Sequence, residues 1–240
     1  MRIPRIIEFI IGLVIALIII YYITSRNQVP QGDVWYINLD RSPDRRKQME
    51  QEVSKLAPFT PNRWAAVDGK KLGDSEYNSY NIPAWSRPSY APEAKRETRK
   101  GEIGVYLSHR TLLEKLSEQS RPDNYIHIIL EDDVKIDTDA LAALMTGSAS
   151  IGPYWDIIFI GLLNNKVNKV NNGIGVPEWV TGAHAYAIRH GSAKKVLNSI
   201  KTMYDPIDEM YGRNPDGLRM YALSPSKINQ ILADSTIVSS

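Results

Sequence analysis

Ile126-His127-Ile128-Ile129-Leu130-Glu131-Asp132-Asp133 is the stretch on which the fold turns. Ile126 to Leu130 reads as one short, nearly continuous apolar run, the pattern of a strand buried on both faces. It ends abruptly in three carboxylates. In open α/β sheets, ligands bind outside the carboxyl ends of the strands. Three adjacent carboxylates repel one another, so they need either solvent or a cation. Hard divalent cations such as Mg²⁺ and Mn²⁺ prefer such oxygen ligands and can bridge a diphosphate. Taken alone, the triplet fits a solvated polar turn as well as it fits a metal site.

Working outward, Val34 to Leu39 reads as a second buried strand. Ser42-Pro43 then opens a helix, with serine as cap and proline at the first helical position. A further helix begins near Glu102 and carries Ile103, Leu107, Leu112, Leu113 and Leu116. Asp156 to Ile160 and Ala183 to Ile188 read as strands, and Ser192 to Ile200 as a helix. Residues 57 to 100 read as long loops with short elements, and Gly161 to Gly175 as an Asn- and Gly-rich loop. No internal repeat is present. Strands alternating with helices predict an α/β domain with a mixed, mainly parallel sheet.

Upstream, Ile6 to Ile23 is apolar, aromatic or glycine at every position but Glu8. As a helix it would span about 27 Å, close to the hydrocarbon thickness of a bilayer. A cleaved signal peptide would want small residues after a shorter apolar core. Here the run continues into Tyr21, Tyr22 and Ile23, which suits a retained anchor better. The expected organisation is a tail at 1–5, a transmembrane anchor at 6–24, a stem at 25–32 and a catalytic domain at 33–240. Arg2 and Arg5 precede the span, which favours a single-pass type II protein with the catalytic domain on the luminal side. The 240 residues carry a net charge of only +2 and no basic run interleaved with aromatics, so nucleic acid is not an expected partner. The absence of cysteine excludes disulfides, thiolate metal sites and thiol nucleophiles.

Seven motifs occur in an order that resembles one family. They are Ile37-Asn38-Leu39-Asp40-Arg41 with Arg45, Ala66-Val67-Asp68-Gly69, and Gly101-Glu102-Ile103-Gly104 with Ser108-His109. They continue with Leu130-Glu131-Asp132-Asp133-Val134, Trp155-Asp156 with Gly161, Gly182 with His184-Ala185-Tyr186, and Pro206-Ile207-Asp208. This pattern resembles the glycosyltransferase family (family 25) that contains bacterial lipopolysaccharide galactosyltransferases and procollagen galactosyltransferases. Val105 stands where the family has cysteine, and Ala183 where it has threonine.

The resemblance implies a GT-A-like nucleotide-sugar-binding domain with a UDP-sugar donor and Mn²⁺ (or Mg²⁺). It implies transfer of galactose or glucose, with inversion, to a glycan, lipopolysaccharide or glycoprotein acceptor. Ile37, Asn38 and Leu39 would face the nucleobase, and Arg45 the diphosphate. Glu131, Asp132 and Asp133 would share metal and ribose contacts, with Asp133 the first metal ligand. His184 fits a donor-site contact or a hydrogen-bonded strand histidine; His109 fits a structural role. Asp208 is the expected base for the acceptor hydroxyl, with Asp156 and Glu209 in reserve. The rival readings are an inactive relative that binds glycans or partners, and a nucleotidyltransferase, for which no Gly-rich phosphate loop is present.

Overall fold

The structure is a computed structural model that describes residues 7, 10–17, 31–80, 92–163, 166–214 and 216–231. The chain divides into two units, Met1–Pro30 and Gln31–Ser240. In the first, the described residues are helical and exposed. Among the described residues no helix is long and apolar enough to cross a membrane. Most of the rest of the expected anchor and stem lies outside the described residues. The first strand of the second unit begins at Gly32.

The second unit contains β1 (Gly32–Asn38), α1 (Pro43–Glu52), β2 (Thr60–Ala65), α2 (Asp74–Ser79), α3 (Pro92–Ser117) and β3 (Ile126–Glu131). These are followed by β4 (Val134–Ile136), α4 (Ala140–Ile151), β5 (Ile157–Gly161), β6 (Val167–Asn171) and β7 (Ile174–Pro177). β8 (Ala185–Arg189), α5 (Ala193–Ser199), α6 (Ile207–Arg213), β9 (Met220–Leu223) and β10 (Ile228–Gln230) complete it. The main sheet has the order β2-β1-β3-β8-β5-β9-β7-β6, and β10 pairs with β4 in a two-stranded sheet. β2, β1, β3, β5, β9 and β6 run one way, while β8 and β7 oppose them. The sheet is therefore mixed and mainly parallel.

Helices cover both faces, and successive side chains alternate between them. Trp35, Ile37, Ile129, Phe159, Tyr186 and Ile188 join one apolar layer with Ile103, Leu112 and Leu116 of α3 and Tyr211 of α6. Val34, Tyr36, Ile128, Leu130, Ile158 and Ala187 join the other, with Met49 of α1 and Leu144 of α4. This double burial is why the central strands read as unbroken apolar runs. His127 is fully buried within β3, and its Nδ1 lies 2.7 Å from Oδ1 of the buried Asp33 on β1. That contact satisfies a polar ring in an otherwise apolar strand.

Several elements depart from the sequence expectation. The loop expected at Gly161 to Gly175 is largely a hairpin, β6 to β7, closed by Asn172-Gly173, both at positive φ. That dipeptide is a strong two-residue hairpin signal. β2 and the short α2 lie within residues 57 to 100, and α3 begins ten residues before Glu102. α1 starts at Pro43 as expected, but the Ser42 side chain makes no capping bond.

Asp156, held in reserve as a base, is instead a buried anchor. It is 1% exposed and accepts from Lys195 Nζ at 2.8 Å, Ser192 Oγ at 2.8 Å, Arg219 N at 2.9 Å and Arg219 Nη2 at 3.0 Å. Burial pushes its carboxyl pKa up, but the Arg219, Lys195 and Ser192 bonds outweigh this and hold it well below the usual range. A depressed folded-state pKa adds stability that is present above the unfolded value, about 3.9, and is lost as pH falls below it. Asp156→Asn should cost about 2 kcal/mol at neutral pH, the scale of charged hydrogen bonds. The gap to wild type should close as pH drops below about 4. Urea unfolding of both proteins at pH 7 and pH 3 checks this; an equal gap at both would refute it.

Candidate active site

The parallel pairing of β1 with β3 sets Ile37 beside Glu131, so both strands end together. After β1 the chain turns back on a bond from Ser42 N to Leu39 O (3.0 Å) and enters α1. Asn38, 1% exposed, lies at the centre of this turn. Its Nδ2 donates to Asp132 Oδ2 at 2.7 Å and to Ser42 O at 3.2 Å. Its Oδ1 accepts from Arg63 Nε of β2 at 3.0 Å. Arg63 also donates to Asn38 O (3.0 Å) and Asp40 Oδ1 (2.5 Å). Arg45, on the first turns of α1, donates to Asp132 Oδ1 at 2.9 Å and lies 3.5 Å from Asp133 Oδ2.

The three carboxylates thus meet three environments. Glu131 is still strand and shares the parity of Ile129, so it points to the α3 layer. There its Oε1 lies 3.8 Å from His109 Nε2. His109 is buried, stacked on Tyr186, with its Nδ1 2.9 Å from Tyr186 Oη. Burial raises the Glu131 pKa, but His109 first, then His184 and Arg45, hold it below its ordinary value. Asp132 is ion-paired with Arg45 and accepts a hydrogen bond from Asn38. Asp133 is tied to β10, where its Oδ2 accepts from Gln230 Nε2 at 3.2 Å and its carbonyl accepts from Ile231 N. Its Oδ1 is buried without a hydrogen-bond partner. Burial, and then Glu131, push the Asp133 carboxyl up to about 6.

Among the described residues no group of three or more His, Asp or Glu side chains forms a metal cage. The expected three-carboxylate ligand set is therefore not assembled. Strand parity turns Glu131 away, and Asp132 is already ion-paired with Arg45. Asp132 and Asp133 lie together beside one cation, the Arg45 guanidinium, 2.9 Å from the first and 3.5 Å from the second, so a divalent ion would have to share them with Arg45. Asp133 Oδ1 is buried without a hydrogen-bond partner.

The other expected site residues fall as follows. The Ile37 side chain is in the core, and the Leu39 carbonyl closes the turn into α1. His184 is buried just ahead of β8; its carbonyl accepts Glu131 N at 2.9 Å, and its Nε2 donates to Ile228 O at 3.0 Å. Its other ring nitrogen, Nδ1, is buried without a hydrogen-bond partner. Gly161 makes room for this ring, since a Cβ there would come 2.4 Å from His184 Nε2. Asp208, in the first turn of α6, accepts Gly182 N on Oδ2 at 2.9 Å. Gly182 lies two residues before His184, so Asp208 is tied to the segment that holds the end of β3. Glu209 Oε2 accepts Trp179 Nε1 at 3.1 Å. Arg63, Gln230 and Tyr186 were not singled out as site residues in the sequence, although Tyr186 lies inside one of the seven motifs.

The sequence model of glycosyltransferase family 25 (LPS biosynthesis protein) matches residues 32–174. The chain is 27% identical over 206 residues to a glycosyltransferase 25 family member of Aedes aegypti, covering 80% of this chain and 33% of that protein. It is 29% identical over 208 residues to procollagen galactosyltransferase 2 of Mus musculus, covering 76% and 31%. It is also 29% identical over 204 residues to the inactive glycosyltransferase 25 family member 3 of Homo sapiens, covering 77% and 32%. The chain spans about a third of the length of these relatives.

Proposed function

The chain belongs to glycosyltransferase family 25, and from that premise we propose that it transfers a hexose, galactose or glucose, from a UDP-sugar to a hydroxyl of a glycan, lipopolysaccharide or glycoprotein acceptor, with inversion at the anomeric carbon. The observation that carries the reading is the acidic pair Asp132–Asp133 at the carboxyl end of β3, with a buried, unpartnered Asp133 Oδ1 and a guanidinium beside it. Asp133, with Asp132, would hold Mn²⁺ or Mg²⁺. When bound, such an ion neutralises a diphosphate and stabilises it as a leaving group. Arg45 reaches both carboxylates and is placed to pair with that diphosphate. Asn38 and Arg63 fix the Asp132 side of the site, and Glu131, 3.8 Å from His109, faces the opposite layer. Asp208 takes the proton of the acceptor hydroxyl, with the Gly182 N–H fixing its orientation.

The similarity to the human inactive relative supports a second reading, a glycan-binding protein without turnover. Hydrolysis of UDP-galactose and UDP-glucose with and without Mn²⁺ separates the two. We further propose that residues 6–24 anchor the chain as a type II membrane protein with the catalytic unit on the luminal side. The full chain should stay with membranes through an alkaline wash, while the chain from residue 31 onward should be soluble. Release of the full chain by that wash would argue against the anchor.

UDP binding measured by calorimetry should need Mn²⁺ or Mg²⁺ and vanish on chelation. Asp133→Ala should lose metal and UDP affinity together while unfolding like wild type. Equal, metal-independent UDP affinity in both proteins would sink the metal mechanism.

Asp208→Asn keeps an amide oxygen for Gly182 N but cannot take a proton. Turnover should fall by roughly 10²–10⁴ with UDP affinity and melting temperature unchanged. Near-normal turnover would move the role to Glu209.

A further inference from the structure

The part of the site opposite Arg45 carries an aromatic side chain that nothing above uses. Trp179 is 40% exposed yet fixed in place. Its indole N–H donates to Glu209 Oε2, and its ring is seated on Gly212 of α6, where a Cβ would come 2.8 Å from Cε2. It opens the segment that runs through Gly182, bonded to Asp208, to His184, whose carbonyl holds Glu131 N. Leu163, just past β5 and 51% exposed, is bonded to Thr181 through its backbone and packs its side chain against Gly182. β1 lies on one side of β3 and β8 on the other. Arg45, Asn38 and Arg63 therefore gather on one flank of the carboxylates, and Trp179, Leu163 and Asp208 gather on the other.

We propose that Trp179 is the platform on which a pyranose ring of the acceptor stacks; this rests on the transferase reading of the same site. A pyranose offers an apolar face of C–H groups edged by hydroxyls. A fixed indole can cover such a face, while Glu209 and Asp208 on the adjoining first turn of α6 supply carboxylates for the hydroxyl edge. A sugar suits this surface better than a protein partner. Among the described residues of the folded unit, the exposed large apolar side chains are Tyr154, Leu163, Val176 and Trp179. A stable protein interface takes about 20–30 residues a side, whereas one sugar ring takes one aromatic face. Holding the indole rigid before the sugar arrives also lowers the ordering cost of binding.

The test uses the full chain in a sugar-free zwitterionic detergent. Saturation-transfer NMR with methyl β-galactoside, methyl β-glucoside and lactose reads sugar binding, and calorimetry with UDP and Mn²⁺ reads the donor side. Wild type should bind at least one of the three sugars, with saturation concentrated on one pyranose face. Trp179→Ala should weaken that binding by about three- to tenfold, the scale of one lost aromatic stack. Gly212→Ala, which leaves the indole but displaces it, should weaken it as well. UDP affinity should be unchanged in both variants. If Trp179→Ala does not fold, Trp179→Phe keeps a ring without the Glu209 bond and should bind sugar more weakly than wild type. Equal sugar affinity in the variants and wild type overturns the proposal, and so does a wild type that binds none of the three sugars, whether or not it binds UDP. Trp179-dependent sugar binding without any UDP binding would uphold the platform and overturn the transferase reading instead.

Discussion

The burial of β3 on both faces is the constraint on which the site depends. A strand covered on one face only would let its end fray or slip, because the exposed side costs little to rearrange. Here a slip of one residue would move Ile129 into the α1–α4 layer and Ile128 and Leu130 into the α3 layer, inverting every contact. The register is therefore fixed at Ile37↔Glu131, and with it the direction of each carboxylate. Glu131 goes to the α3 side because Ile129 does. Asp132 meets α1 because the strand has ended and the chain is turning.

From that follows the separation of charge. Three acidic residues in a row would be mutually destabilising if they shared one solvated turn. Divided as they are, each is answered differently. Glu131 has His109 and His184 nearby and is drawn toward ionisation, Asp132 has Arg45 and Asn38, and Asp133 has Gln230 and is pushed toward protonation. Environment rather than residue type sets these tendencies. Asp133 is the one of the three with an oxygen, Oδ1, buried without a hydrogen-bond partner.

The sequence disclosed the parts of this arrangement that depend on local pattern. β1, β3, β5 and β8 are central strands, so their apolar runs are continuous and legible. Ser42-Pro43 marked the start of α1 for a steric reason that holds in any context. The strands that escaped are short or polar: β2 (TPNRWA), β4 (VKI), β6 (VNKVN), β7 (IGVP), β9 (MYAL) and β10 (INQ). Their hydrophobic pattern is too short to rise above the surrounding loops, although Asn172-Gly173 did announce the β6–β7 turn. The acidic motif was visible, but its division was not. Nothing local reveals that Arg63 lies on Asn38, 25 residues away, or Gln230 on Asp133, 97 residues away. Asp156 misled because a carboxylate after a tryptophan gives no sign that Ser192, Lys195 and Arg219 will converge on it.

The flank opposite Arg45 is held by hydrogen bonds as well as by the burial of Val180, Ala183 and His184. Asp208 holds Gly182 N, and His184 O holds Glu131 N. The segment between Trp179 and His184 is thus pinned at both ends, by α6 and by β3, although it has no regular secondary structure of its own. A loop so pinned positions side chains nearly as a strand would, because each hydrogen bond removes backbone freedom that an exposed loop would keep. A shift of α6 would therefore reach the end of β3 through these two hydrogen bonds and also through Tyr211, whose ring packs edge-on against Tyr186 of β8. In that respect the residue expected to take the proton and the residue at the end of the acidic strand belong to one mechanical unit, and Arg45 and Asn38, on the other flank, belong to another.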